Sequence, residues 1–249
     1  MPRSEFTEGI FERSRAELAE IIRWINSHGE NADNPITVLV GGWAVYVYNP
    51  WYRSVDIDLV TNRRTKQSLM RFLRTERGFS IERQPMISNS VYKPTPDGTI
   101  VIDFASRQDP SPFEGREERC DFDLVTGRTI PKRLAQGTVA VPTRALLILF
   151  KLKAVWDRSY RLSHGTAENP EYTQGKVEKD IADIIALLDS SIVDDDLDLS
   201  FLGDKMHEYP FLREVLASIL SRADAISKYG RLSPAEVNDI IDRLLALIS

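Results

Sequence analysis

The chain has a single cysteine, Cys120, and three histidines among its 249 residues. One thiol excludes an internal disulfide framework and any Cys-rich zinc site, and it fits a reducing compartment. His28, His164 and His207 have neither pairing nor metal-ligand spacing, so no role follows for them. Long apolar runs are also missing: the longest, such as 45–47 and 145–150, fall far short of a bilayer span. The opening stretch MPRSEFTEGIFERSR is charged throughout and lacks the apolar core of a signal peptide, which predicts a cytoplasmic protein without a membrane partner. Net charge is small, with 32 Lys+Arg against 37 Asp+Glu giving −5. Such a chain is not built for unselective binding to a polyanion, and any such binding must be local. What is present is ordinary for a globular protein: 42% hydrophobic and 28% charged residues exclude wholesale disorder. The length suits one large domain or two modest ones.

Hydrophobic spacing predicts a helix over 4–27, carrying Phe6, Ile10, Phe11, Leu18, Ile21, Ile22 and Ile25 on its inner side. A polar loop follows at 30–35. Residues 36–40 form an apolar β-branched run that stops at Gly41-Gly42, as a buried strand entering a tight turn does. A short helix over 43–48, a strand over 55–60 and a helix over 65–77 come next. Strands near 87–93 and 99–105 are joined by Pro94-Thr95-Pro96-Asp97-Gly98, a hairpin signal. Residues 106–135 read as loop with short strand pieces, and 138–141 as a last strand. Pro142-Thr143 opens a helix over 143–160. A polar loop at 162–175, a helix at 176–189 and further helices from 195 onward complete the chain. The acidic run 194–196 reads as a helix N-terminal cap region. Ser233-Pro234-Ala235-Glu236 opens the terminal helix with cap, proline and glutamate. The fold class is α+β: a mixed sheet flanked by helices over 1–142, then a helical domain over 143–249.

Asp56 and Asp58 alternate with Val55, Ile57 and Leu59, so they project side by side from one strand face. Two such carboxylates repel and raise a pKa unless countered, most simply by a hard divalent cation. Asp103 lies on a second strand, away from the apolar face of Ile100, Ile102 and Phe104. If the two strands are neighbours, the three carboxylates converge as a two-metal phosphoryl-transfer site requires. Asp103 is then the natural base for an incoming hydroxyl. Gly41 and Gly42, at a strand-to-helix turn, let backbone N–H groups approach a phosphate. Alone, a glycine pair is a turn and Asp-X-Asp is a solvated surface; the order and spacing together point to chemistry.

The segment VLVGGWAVYVYNPWYRSVDIDLV resembles the nucleotidyltransferase signature of the DNA polymerase beta superfamily: a glycine pair, a spacer, then alternating carboxylates. Its spacer, 43–55, has 13 residues, at the long end of what the family accepts. The strand with Asp103 resembles the strand of the third carboxylate. Gly41-Gly42-Trp43-Ala44 and Arg53-Ser54-Val55-Asp56-Ile57-Asp58 are closest to the abortive-infection AbiEii-type branch, and Lys151-Leu152-Lys153-Ala154, Arg158, Lys179-Asp180 and Asp183 extend the likeness. Lysine stands at 179 where that branch has arginine.

The resemblance implies a Mg²⁺-dependent enzyme, with two ions and Mn²⁺ as a substitute, moving an NMP from an NTP such as ATP to an acceptor. Asp56, Asp58 and Asp103 would hold metal. Gly41, Gly42, Arg53, Ser54, Lys151 and Asp180 would bind the nucleotide, with Lys151 neutralising triphosphate charge. The helical half would complete the cleft. A tRNA 3′ end, a protein or a small molecule is the implied acceptor, and a toxin with a cognate antitoxin the implied setting. The competing class is an inactive nucleotide-sensing or partner-binding module on the same fold. Plainer readings compete residue by residue as well. Arg53 fits a surface ion pair and Lys151 a snorkelling boundary lysine. The aromatics Trp43, Tyr46, Tyr48, Trp51 and Tyr52 fit core packing better than base stacking. The basic clusters Arg63-Arg64…Lys66, Arg71, Arg74, Arg77 and Arg128…Lys132-Arg133 fit either a local tRNA surface or ordinary exposed charge.

Overall fold

A computed structural model describes residues 7–30, 35–51, 53–81, 89–134, 137–193 and 196–248. Phe6, Tyr52, Asp194, Asp195 and the start of the 87–93 strand lie outside them. The first helix, α1 (Glu8–Ser27), is capped by Thr7, whose side chain accepts from the Ile10 N–H. Its buried stripe of Ile10, Phe11, Leu18, Ile21, Ile22 and Ile25 has the helical period that the apolar residues announce.

Strand β1 (Val38–Val40) is shorter than the apolar run. The N–H groups of Ile36 and Thr37 donate to the Glu30 carboxylate, at 2.7 and 3.1 Å, instead of to a strand. Helix α2 (Gly41–Tyr48) begins on the glycine pair itself. Strand β2 is Ile57–Thr61 and helix α3 is Arg63–Glu76, capped by Asn62. A two-residue strand, β3 (Ser80–Ile81), precedes β4 (Ser90–Thr95) and β5 (Gly98–Ser106). The β4–β5 hairpin turns on Pro96-Asp97, with Thr95 opposite Gly98. These strands form one five-stranded mixed sheet in the order β1-β2-β5-β4-β3. Only β2 and β5 run parallel; the other pairs are antiparallel. The alternation of β5 buries Ile100, Ile102, Phe104 and Ser106 and leaves Val101, Asp103 and Ala105 half-buried on the other face.

Residues 106–135 are more ordered than their polarity suggests. A 3₁₀ turn at Phe122–Val125 leads into β6 (Thr129–Leu134), which pairs antiparallel with β7 (Gly137–Pro142) in a separate two-stranded sheet. Pro142 ends that strand and lies opposite Thr129, so it does not open the following helix.

The remaining chain is helical: α4 (Arg144–Ser163), α5 (Pro170–Leu188), α6 (Leu199–Glu208), α7 (Pro210–Ser218), α8 (Ala223–Tyr229) and α9 (Pro234–Leu247). Helix α5 starts within the expected polar loop because Asn169 caps it and Pro170 occupies its first turn. The cap of α6 is Asp198, which accepts from the Phe201 N–H at 2.9 Å; Asp194 and Asp195 of the acidic run lie outside the described residues. The expected capping box at Ser233 and Glu236 is present on α9. The chain forms two compact units. One holds the five-stranded sheet and Asp121–Thr143; the other holds Ser111–Cys120 with everything from Arg144 onward.

Candidate active site

The sheet unit places the carboxylates through backbone register. Asp58 is opposite Asp103 in the parallel β2–β5 pair, so both belong to one cross-strand row. Asp103 in turn faces Ser90 across β4–β5, and the Ser90 hydroxyl donates to Asp103 Oδ1. Asp56 precedes the strand, at the bend where the chain enters β2. That entry is pinned from behind. The Val55 carbonyl accepts from Ser14 Oγ of α1 and from Trp43 Nε1 of α2, the latter at 3.4 Å. All three carboxylates are half-buried.

Gly41 ties the turn to this row. Its φ is +65°, and a Cβ built there would lie 2.6 Å from Asp58 Cγ and overlap the carboxylate. Val40, the residue before it, pairs with Asp58 in the β1–β2 ladder. The glycine therefore lets the start of α2 approach a carboxylate that any side chain would displace. Gly42, next to it, is buried.

Other predicted site residues are engaged elsewhere. Arg53 pairs with Glu8 and lies over the Phe11 ring, 4.6 Å from its centroid, so it is committed to α1. Ser54 is buried. In the helical unit Lys151 bonds Asp180 Oδ1 at 2.9 Å and also reaches Asp183 Oδ2. Arg158 binds the other oxygen of Asp180, and Lys179 bridges to Asp183 at 3.4 Å. Burial is the largest single influence on Lys151 and would lower its pKa, yet the two carboxylates raise it above the ordinary lysine value. Asp180 mirrors it. Burial opposes its ionisation, but Lys151, Arg158 and Lys179 together hold its pKa below the usual carboxylate range. This is a charge network between two helices.

No protein-family model matches the chain, and no curated protein matches it in sequence. Among the described residues no group of three or more His, Cys, Asp or Glu side chains is arranged to hold a metal ion. The neighbouring oxygen donors of Asp58 and Asp103 nevertheless suit a hard cation, since Mg²⁺ takes one or two protein carboxylates and completes its shell with phosphates and water. No helix of the described residues is long and apolar enough to cross a membrane.

The aromatic residues beside the glycines pack inward. Trp43 is fully buried, stacked on Phe11 with centroids 5.3 Å apart and edge-on to Tyr46 at 5.2 Å. The Tyr48 hydroxyl donates to the Pro142 carbonyl at 2.7 Å. The sequence does not single out Ser90, because a serine at the start of a hairpin strand gains meaning only from its register with Asp103. The histidines are also placed: Nδ1 of His28, His164 and His207 lies 2.8–2.9 Å from the carbonyl four residues earlier, at or just beyond a helix C-terminus.

Proposed function

We infer that the protein is a nucleotidyltransferase, moving an NMP from an NTP to an acceptor hydroxyl and releasing pyrophosphate on a nucleotidyltransferase-like sheet. The observation that carries this reading is the union of Gly41, Asp58 and Asp103: a glycine turn at a helix start pressed against Asp58, which lies in register with Asp103. In the proposed site the N–H groups at the start of α2 receive triphosphate oxygens, favoured by the helix dipole. Asp58 and Asp103, with Asp56 two residues upstream of Asp58 as the third expected ligand, would hold Mg²⁺ or Mn²⁺, which supplies charge neutralisation at the phosphates when bound. A carboxylate oxygen of Asp103 takes the acceptor's proton. The acceptor oxygen then bonds the α-phosphorus, the bond to the β-bridging oxygen breaks, and pyrophosphate leaves with the electron pair. Ser90, by donating to Oδ1, orients that carboxylate. Lys151 has a smaller share than the resemblance assigns, because its ammonium is enclosed with two carboxylates. The tRNA 3′ end, protein and small-molecule acceptors, and the toxin–antitoxin setting, belong to the proposal through the resemblance alone.

Incubation with α-labelled NTPs, Mg²⁺ and each acceptor class is the direct test. Label transfer is expected, and Asp58→Asn or Asp103→Asn should lower it by at least about 100-fold without changing the melting temperature. NTP binding by calorimetry with no transfer to any acceptor would favour the inactive sensing module. Failure of all NTPs to bind, with Asp58→Asn silent, would end both readings.

A further inference from the structure

Helix α3 carries five basic residues against one acidic residue, in a chain whose net charge is −5. The structure sorts these cations. Arg63 pairs with Asp109 at 3.3 Å, Lys66 donates to Asn89 Oδ1, and the C-capping Arg77 is held by Glu17 at 3.0 Å. Arg64, Arg71 and Arg74 are exposed and have no ion pair among the described residues. This sets them apart from Arg13, Arg23, Arg53 and Arg243, each of which has a carboxylate partner.

With 3.6 residues per turn, Arg64, Gln67, Arg71 and Arg74 fall within an arc of about 80°, and the three arginines span about 15 Å of helix axis. Leu69 and Leu73, buried, lie on the far side, and the lone Glu76 is about 120° from Arg64. The exposed positions between Arg64 and Arg74, apart from Arg71, are Gln67 and Ser68, with Thr75 just beyond.

We propose that the exposed face of α3 is a docking surface for the phosphate backbone of a nucleic acid, with Arg64, Arg71 and Arg74 making the phosphate contacts. It goes beyond the transfer reaction, since α3 holds none of the proposed reacting groups and docking needs no turnover. Guanidinium groups bind phosphate in bidentate fashion, and amide and hydroxyl side chains add phosphate hydrogen bonds. A duplex carries one charge per about 1.7 Å, so a 15 Å row faces several phosphates. A protein partner fits less well, because an interface core draws on aromatic and apolar anchors and the fully exposed side chains between these arginines, Gln67 and Ser68, are polar.

The test is fluorescence anisotropy of the full chain with a labelled RNA hairpin, a single-stranded RNA and a DNA duplex, at about 50 to 200 mM salt. The triple variant Arg64→Gln, Arg71→Gln, Arg74→Gln is compared with Arg15→Gln, Arg23→Gln, Arg243→Gln, which removes the same charge from paired sites. The α3 variant is expected to lose at least tenfold in affinity, and its salt slope should fall by about 2 to 3. The control should keep both. Arg64→Gln and Arg74→Gln alone should each remove about one third of the slope change, which guards against misfolding of the triple variant. Equal losses in both triple variants, an unchanged α3 variant, no nucleic-acid binding by the wild type, or tighter binding of poly-glutamate than of any nucleic acid would each overturn the proposal.

Discussion

Gly41 answers two demands at one residue. Its φ of +65° lies in the left-handed region, and Asp58 occupies the space a side chain would need. Gly29 separates the two, because its φ is +77° but nothing among the described residues lies within 4 Å of its missing Cβ. Gly29→Ala should therefore cost only the backbone contribution, about 1 kcal/mol. Gly41→Ala should cost about 2 to 4 kcal/mol, since it adds displacement of a half-buried carboxylate. Urea unfolding of both variants measures the difference; equal losses would mean that contact with Asp58 is not what requires glycine. The histidines show the same dependence on position. Each ring lies against the carbonyl one turn back, in the last turns of a helix or just past its end. That placement is invisible to a search for metal spacing.

Between elements, the charge network of α4 and α5 is the feature with most at stake. Lys151, Lys179, Asp180 and Asp183 are all buried, and Asp183 Oδ1 has no hydrogen-bond partner among the described residues. Removing one partner from such a group strands the others, so Lys151→Met is expected to destabilise the protein by about 3 to 5 kcal/mol. Chemical denaturation measures the loss, and adding Asp180→Asn should deepen it, because Arg158 and Lys179 would then have only Asp183 between them. The NTP affinity of folded Lys151→Met should match the wild type if the lysine serves the helices; a large loss of affinity at unchanged stability would restore its nucleotide role. The pH dependence follows from the directions of shift. Asp180 is depressed in the folded state, so its contribution is complete above the ordinary value of 3.8 and is lost as pH falls through the lower folded value. Lys151 is raised, so its contribution is complete below 10.5 and is lost as pH climbs through the higher folded value. Urea midpoints measured from pH 7 downward should fall more steeply in the wild type than in Asp180→Asn. Parallel curves would mean that the carboxylate is not held ionised by its neighbours.

At the scale of the whole molecule, legibility in the sequence follows the range of the interaction. The sheet's buried face was readable because alternation in 100–104 and 55–60 is a local pattern, and the Gly41–Asp58 approach could be suspected from a glycine pair beside alternating carboxylates. The strand at 138–141 was readable as well, but β6 and its pairing with it, the Ser90–Asp103 bond and the start of α5 were not, since a polar strand and register carry little hydrophobic period. The segment Ser111–Cys120 is the extreme case: it groups with the helices although sheet-unit chain flanks it on both sides. Phe113 explains why. It is 1% exposed, with its ring 5.0 Å from Tyr209 and 4.9 Å from Phe211. Around it, Lys153 donates to the Pro112 carbonyl at 2.9 Å, Trp156 Nε1 to the Glu114 carbonyl at 3.1 Å, and the Tyr209 hydroxyl to the Arg119 carbonyl at 2.7 Å. Arg116 lies 3.8 Å from the Phe211 ring centroid. A cut at the start of α4 thus removes a strap whose Phe113 packs among the helices' aromatic rings. Phe113→Ala in the intact protein should cost about 3 to 5 kcal/mol. The isolated fragment 144–249 should melt at low temperature and with poor cooperativity, and a synthetic peptide of residues 111–120 added in excess should raise its melting temperature, because ligand bound only by the folded state stabilises it. Calorimetry reads both effects. A fragment that melts cooperatively and ignores the peptide would mean that the strap rests on the helices without supporting them.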